Sequence, residues 1–169
     1  MRINKRVRSK FVERIAPDRR IEAVIALQRA LNAPGPLGGS GLEVSYLERE
    51  NLVESLAPER PVDQQWCVVT ESRVLFFLKK AGGLRFLATG GELMHELSRD
   101  EVSVAWGDYE GGAPKLRVRL LAITCDDGRT TVQNTVLAAA SREFNQSDEA
   151  DMFVAAFGER ASEIELPSR

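Results

Sequence analysis

Apolar positions follow two regimes along the 169 residues. Before position 57 their spacing suits helices; after Pro61 they gather into short β-branched and aromatic runs. Ile21, Val24, Ile25, Gln28 and Leu31 recur at helical spacing, and Pro17 with Asp18 suits a first helical turn. The pattern predicts an amphipathic helix over 17–32, with Arg19, Arg20 and Arg29 off its apolar stripe. Residues 33–41 hold two prolines and four glycines and read as a loop or linker. A second helix is predicted over 45–56 through Leu47, Leu52, Val53 and Leu56, ended by Pro58 and Pro61.

The runs 65–70 and 73–78 are separated only by Glu71 and Ser72, which predicts a hairpin with a tight connection. Further short strands are predicted at 84–87, 94–97 and 102–106. From Lys115 onward, Leu116, Val118 and Leu120 alternate with Lys115, Arg117 and Arg119. Leu121 and Ile123 then fall on the opposite phase, which implies a β-bulge or a strand buried on both faces. Asp126, Asp127 and Gly128 supply a turn, and 130–133 pairs back. A closing helix is expected after Ser147 as cap, with Met152, Phe153, Ala156 and Phe157 as its apolar stripe. The order is helices, about seven strands at short spacing, then one helix. It predicts an α+β fold: an antiparallel β-barrel or sandwich capped by a C-terminal helix, with segregated helices and no parallel α/β sheet. Residues 1–57 are read as a basic helical extension and 58–169 as the β domain.

Charge sharpens this division. The formal net charge is −2, yet residues 1–20 carry eight Lys and Arg against two acids. A basic arm on an acidic body can touch phosphate groups or the acidic surface of another copy. An apolar fraction of 43% and a charged fraction of 28% are ordinary for a globular chain, so wholesale disorder is not expected. Cys67 and Cys125 lie in apolar runs and read as buried reduced thiols. The N-terminus lacks an apolar leader and no window nears 18 uninterrupted apolar residues, so a cytoplasmic home is expected.

Candidate chemistry is sparse. His95 is the single histidine and, on a predicted strand, reads as a packed or surface residue; the sequence leaves a Cys67–His95 dyad open. The two cysteines lack the paired spacing of a zinc site. The glycines of 35–41 follow no strand and precede no Gly-Lys-Ser/Thr, so no nucleotide loop is expected. No cofactor is expected. Two basic groups are candidate anion- or partner-binding sites: Lys115, Arg117 and Arg119 along one strand face, and Lys79, Lys80 and Arg85 around a turn. Nucleic acid finds only the arm, since the body is acidic and its aromatics are not interleaved with basic residues.

The segment Trp66-Cys67-Val68-Val69-Thr70-Glu71-Ser72-Arg73-Val74-Leu75-Phe76-Phe77 resembles the opening hairpin of bacterial pleckstrin-homology-like (PH-like) domains. The stretch from His95 to Val104, the strand-turn from Leu116 through Gly128, and a last helix through Phe153 and Phe157 are similar to later parts of that family. The resemblance spans about 58–160. It implies two near-orthogonal antiparallel sheets plugged by the last helix, and binding of membrane headgroups or proteins in place of catalysis. Lipid-binding members use basic residues between the first two strands. Here that loop is Glu71-Ser72, short and acidic, which shifts the expectation toward protein. The expected function is a non-enzymatic adaptor or scaffold, self-associating through helix 17–32 or capturing a protein. The alternative is an anionic membrane surface.

Overall fold

A computed structural model describes residues 8–29, 42–52, 56, 64–79, 90–110, 115–139 and 145–166. Among these described residues, eight strands form one sheet: β1 (Ile21–Arg29), β2 (Gln64–Thr70), β3 (Arg73–Lys79), β4 (Gly90–Ser98), β5 (Val102–Glu110), β6 (Arg117–Cys125), β7 (Thr130–Ala138) and β8 (Ala161–Glu163). Helix α1 is Leu42–Arg49 and helix α2 is Ser147–Ala156. The strand order is β4-β3-β2-β1-β7-β6-β5-β8. All neighbours are antiparallel except β5 and β8, which run parallel. The sheet is open, because β4 and β8 end it and do not pair with each other. The fold is thus α+β and sandwich-like, and the closed-barrel form of the expectation is corrected.

Side chains on strands alternate faces, and here both faces find cover. Ala23, Ile25 and Leu27 of β1, Cys67 and Val69, Val74 and Phe76, Val104, Leu121 and Ile123 share one cluster with Phe153, Ala156 and Phe157. That is the inner face, on which α2 packs. The outer face of β1–β3 carries Val24, Trp66, Val68, Leu75 and Phe77 and is covered by Phe11 and Ile15. The outer face of β6 and β7 carries Leu120, Ala122 and Val132, covered by Tyr46 and Leu47 of α1 and by Ile164 and Leu166 of the tail.

This double cover explains the largest departure from the sequence reading. Residues 21–29 are strand, not the helix predicted over 17–32. Ala23, Ile25 and Leu27 face inward while Val24 faces outward, so a strand buried on both faces mimics helical spacing over one or two turns. Pro17 follows a cis peptide bond and opens no helix. Residues 21–29 therefore present no helix through which copies could associate: β1 lies mid-sheet between β2 and β7.

Smaller differences have local causes. The second helix is shorter and earlier than 45–56, and the chain leaves it through Asn51 at φ 52°. Ser147 does not cap α2; Gln146 stands at that position without a side-chain cap, and the Ser147 N–H donates to Asn145 Oδ1 at 3.0 Å. Met152 is exposed, while Phe153 and Phe157 carry the buried stripe. Helix α2 stops where Gly158 adopts φ 53°. The hairpin β2–β3 forms with Val69 opposite Val74, as its two-residue connection predicts. Strand β6 is buried on both faces, and its pairing with β7 runs unbroken through Leu120 and Leu121, so burial on both faces and not a bulge accounts for the phase switch; its one register shift lies earlier, between Arg117 and Val118. The loop 33–41 and the predicted strand 84–87 lie outside the described residues.

Candidate functional site

The first predicted basic row does not form. Lys115 sits in a turn at φ 60°, before β6 begins. Arg117 is exposed and 3.8 Å from Asp108. Arg119 points inward and is 5% exposed. Its Nε donates to Asp108 at 2.6 Å, its NH1 donates to Asp151 at 2.9 Å, and its guanidinium lies 4.3 Å from the Trp106 ring centroid. Burial opposes its charge, but Asp108 and Asp151 outweigh burial and hold the guanidinium pKa above its ordinary value. Arg119 therefore ties β5, β6 and α2 together and is not an open anion site.

The second group is only partly visible. Lys79 is half-buried, with Nζ 5.2 Å from the Trp66 ring, and burial lowers its pKa. Lys80 and Arg85 lie outside the described residues.

The Cys67–His95 pairing is excluded by register. Cys67 stands opposite Phe76, and Phe76 opposite His95, so the backbones of Cys67 and His95 are two strand spacings apart, roughly 9–10 Å, with the Phe76 strand between them. Cys67 is fully buried, which pushes its thiol pKa far up. Cys125 is also a buried free thiol with a raised pKa, burial being the main cause. Among the described residues, no group of three or more His, Cys, Asp and Glu is placed to hold a metal ion. No described helix is long and apolar enough to cross a membrane.

A dense polar seam joins the N-terminal segment to the β2–β3 turn. Asp18 accepts from Ser72 Oγ at 2.7 Å, from the Thr70 hydroxyl, and from Arg73 Nε at 2.8 Å. Arg73 also donates to Glu96 at 3.0 Å and to the Ile15 carbonyl. Glu71 accepts the backbone N–H groups of Arg19 at 3.1 Å and Arg20 at 2.8 Å. The acidic two-residue loop that argued against headgroup binding thus anchors the basic arm, an intramolecular use the sequence did not disclose.

Among the described residues, two concavities stand out. One, of about 370 Å³, lies at the end of the sheet between Glu96, Ser98, Glu101, Cys125, Asp127 and Arg129. Most of its charge is internally balanced: Asp126 accepts both guanidinium nitrogens of Arg160 at 2.8 and 3.1 Å, and Asp127 accepts from the Arg129 side chain at 2.7 Å. The other, of about 410 Å³, is an open groove between the N-terminal segment, the start of β1 and α2. Arg8 and Arg20 line it together with Glu22, whose carboxylate is paired with Arg99 at 3.0 Å, and Ile21, Met152, Ala155 and Ala156 supply its apolar lining. Arg8 donates to the Glu22 carbonyl, and its Nε is buried without a hydrogen-bond partner. Met152 is 38% exposed there. Sequence reasoning missed this groove because it depends on the arm folding back beside α2. The surplus of Lys and Arg in residues 1–20 was the one available signal.

A scan against protein-family models matches none, and searches of curated proteins and of solved structures return no significant match.

Proposed function

We propose that this protein is a non-enzymatic binding module of PH-like type that takes an acidic, partly apolar protein segment in the groove between its N-terminal segment and α2. The observation that carries the reading is the groove's two-sided chemistry: Arg8 and Arg20 opposite exposed Met152 and Ala155. A carboxylate-bearing segment with apolar residues on its other face complements both walls. The strand succession from β4 through β1 and β7 to β5, with a helix packed on the inner face, supports the PH-like reading.

The test uses the full chain and a labelled synthetic peptide of alternating glutamate and leucine. Binding should weaken at least tenfold in R8E/R20E and in M152D, with thermal stability close to wild type. Each 1.4 kcal/mol lost is about tenfold in affinity. Peptide binding unchanged in both variants overturns the reading. Binding to phosphatidylserine vesicles without peptide binding assigns the basic wall to a membrane surface instead, and a steep salt dependence would accompany it.

A further inference from the structure

The tail after α2 behaves as a bound strand. Ala161, Ser162 and Glu163 pair in parallel with Val104, Ala105 and Trp106, and the Ile164 N–H donates to the Trp106 carbonyl at 2.8 Å. Ile164 and Leu166 then pack on the outer-face cluster with Tyr46 and Leu120. Gly107 makes this approach possible: a Cβ there would meet the Ile164 carbonyl oxygen and Leu166 Cγ, each at 2.9 Å. The hold is light, because Ser162, Glu163 and Glu165 are exposed and β8 covers three of the nine residues of β5. The tail leaves α2 through Gly158 at φ 53°, a hinge that an ordinary side chain would strain.

We infer that the β5 edge is a strand-docking surface whose partner is a second copy of this chain, which inserts its own 161–166 in place of the resident tail. The tail is the segment seen to fit this edge, and a copy's tail makes the same contacts. Reciprocal exchange gives a closed two-fold dimer in which each β5 edge is covered over the same residues, Val104 to Trp106, as in the monomer. The balance between the two forms is set at the hinge, since the docked contacts are common to both.

Two full-length variants decide it. I164D/L166D spoils the tail and keeps the edge; G107V blocks the edge and keeps the tail. Light scattering should find each alone monomeric, and mixing should give a 1:1 complex. G158V, which strains the closed hinge, should shift the monomer–dimer constant of the otherwise natural chain toward dimer by about tenfold per hinge. A labelled peptide of residues 159–167 provides a second reading that does not need G107V to fold: it should bind I164D/L166D and not the wild-type chain. The proposal is overturned if mixing yields no complex while the peptide also fails to bind, or if G107V alone dimerises as readily as wild type. Peptide binding without any dimer of G158V would equally overturn the second copy as occupant.

Discussion

Asp18 receives Arg73 Nε at 2.8 Å, and this pair locks the N-terminal segment onto the β2–β3 hairpin. The side chains are 8% and 16% exposed, so water offers either group little compensation if the other is removed. Burial raises the Asp18 pKa, but hydrogen bonds from Thr70, Ser72 and Arg73 outweigh it and hold the carboxyl below its ordinary value. A depressed folded value means that the stabilisation is complete above the unfolded pKa, near 4, and is lost as pH falls through the folded one. Asp18→Asn keeps the shape and removes the charge. It should destabilise by about 2 kcal/mol near neutrality. Its stability should also vary less than wild type across the acid limb. Chemical denaturation at pH 7, 4 and 3 measures both, and a parallel acid limb in the variant would count against the assignment.

Arg119 and Asp108 predict an asymmetry. Arg119 is 5% exposed, whereas the Asp108 and Asp151 side chains are 28% and 65% exposed. Asp108→Ala leaves a buried guanidinium with only the exposed Asp151 carboxylate as partner, a loss of compensation that costs on the order of 3 kcal/mol. Arg119→Met removes that buried charge, fills similar space against Trp106, and leaves carboxylates that water can reach. It should cost about 1 kcal/mol or less. The double variant should resemble Arg119→Met, because the pair acts as one unit. Equal costs for the two single variants, read by urea denaturation, would show that Arg119 is not desolvated in solution.

The thiols give a probe of the inner core. Cys67 and Cys125 are both buried, and burial pushes both thiols up in pKa. A disulfide-exchange reagent at pH 8 should not modify Cys67 until the sheet opens, so Cys67 should react at a rate set by unfolding, whereas Cys125, which lines the concavity at the end of the sheet, should react first. Denaturant-limited modification followed by mass spectrometry checks this. Rapid labelling of Cys67 in the native state is the contrary outcome.

Local pairing was legible in the sequence where one signal dominated. Glu71-Ser72 between two apolar runs announced β2 and β3, and Asp127-Gly128 announced the turn between β6 and β7, where Gly128 adopts φ 88°. Strand β1 was not legible, because burial on both faces erases the two-residue period that marks a strand. The candidate site fared worse for a related reason. Side-chain direction within a row of alternating charges depends on what covers each face. Arg117 faces solvent but Arg119 turns inward to Asp108 and Asp151, so equal residues two positions apart have opposite roles. The groove at Arg8 and Arg20 joins segments more than a hundred residues apart, Met152 among them, and no local pattern encodes that meeting.

His95 sits on β4 with its ring edge-on to Phe76 at 6.3 Å between centroids. Burial lowers its pKa, and the positive Arg129 adds to the shift. Both causes disfavour the imidazolium, so the midpoint in the folded chain should lie below the ordinary 6.5. The unfolded chain then binds the proton more readily, and stability declines as pH falls from the unfolded midpoint to the folded one, then levels off for this group. Arg129→Gln removes the charge and leaves the burial. The His95 midpoint should rise only part of the way back, as read from its ring carbon protons by NMR. His95→Gln should flatten the stability profile between pH 7 and 5 without altering it at pH 8. A full return to 6.5 in Arg129→Gln would mean that charge alone sets the shift, and no change would mean that Arg129 does not face the ring in solution.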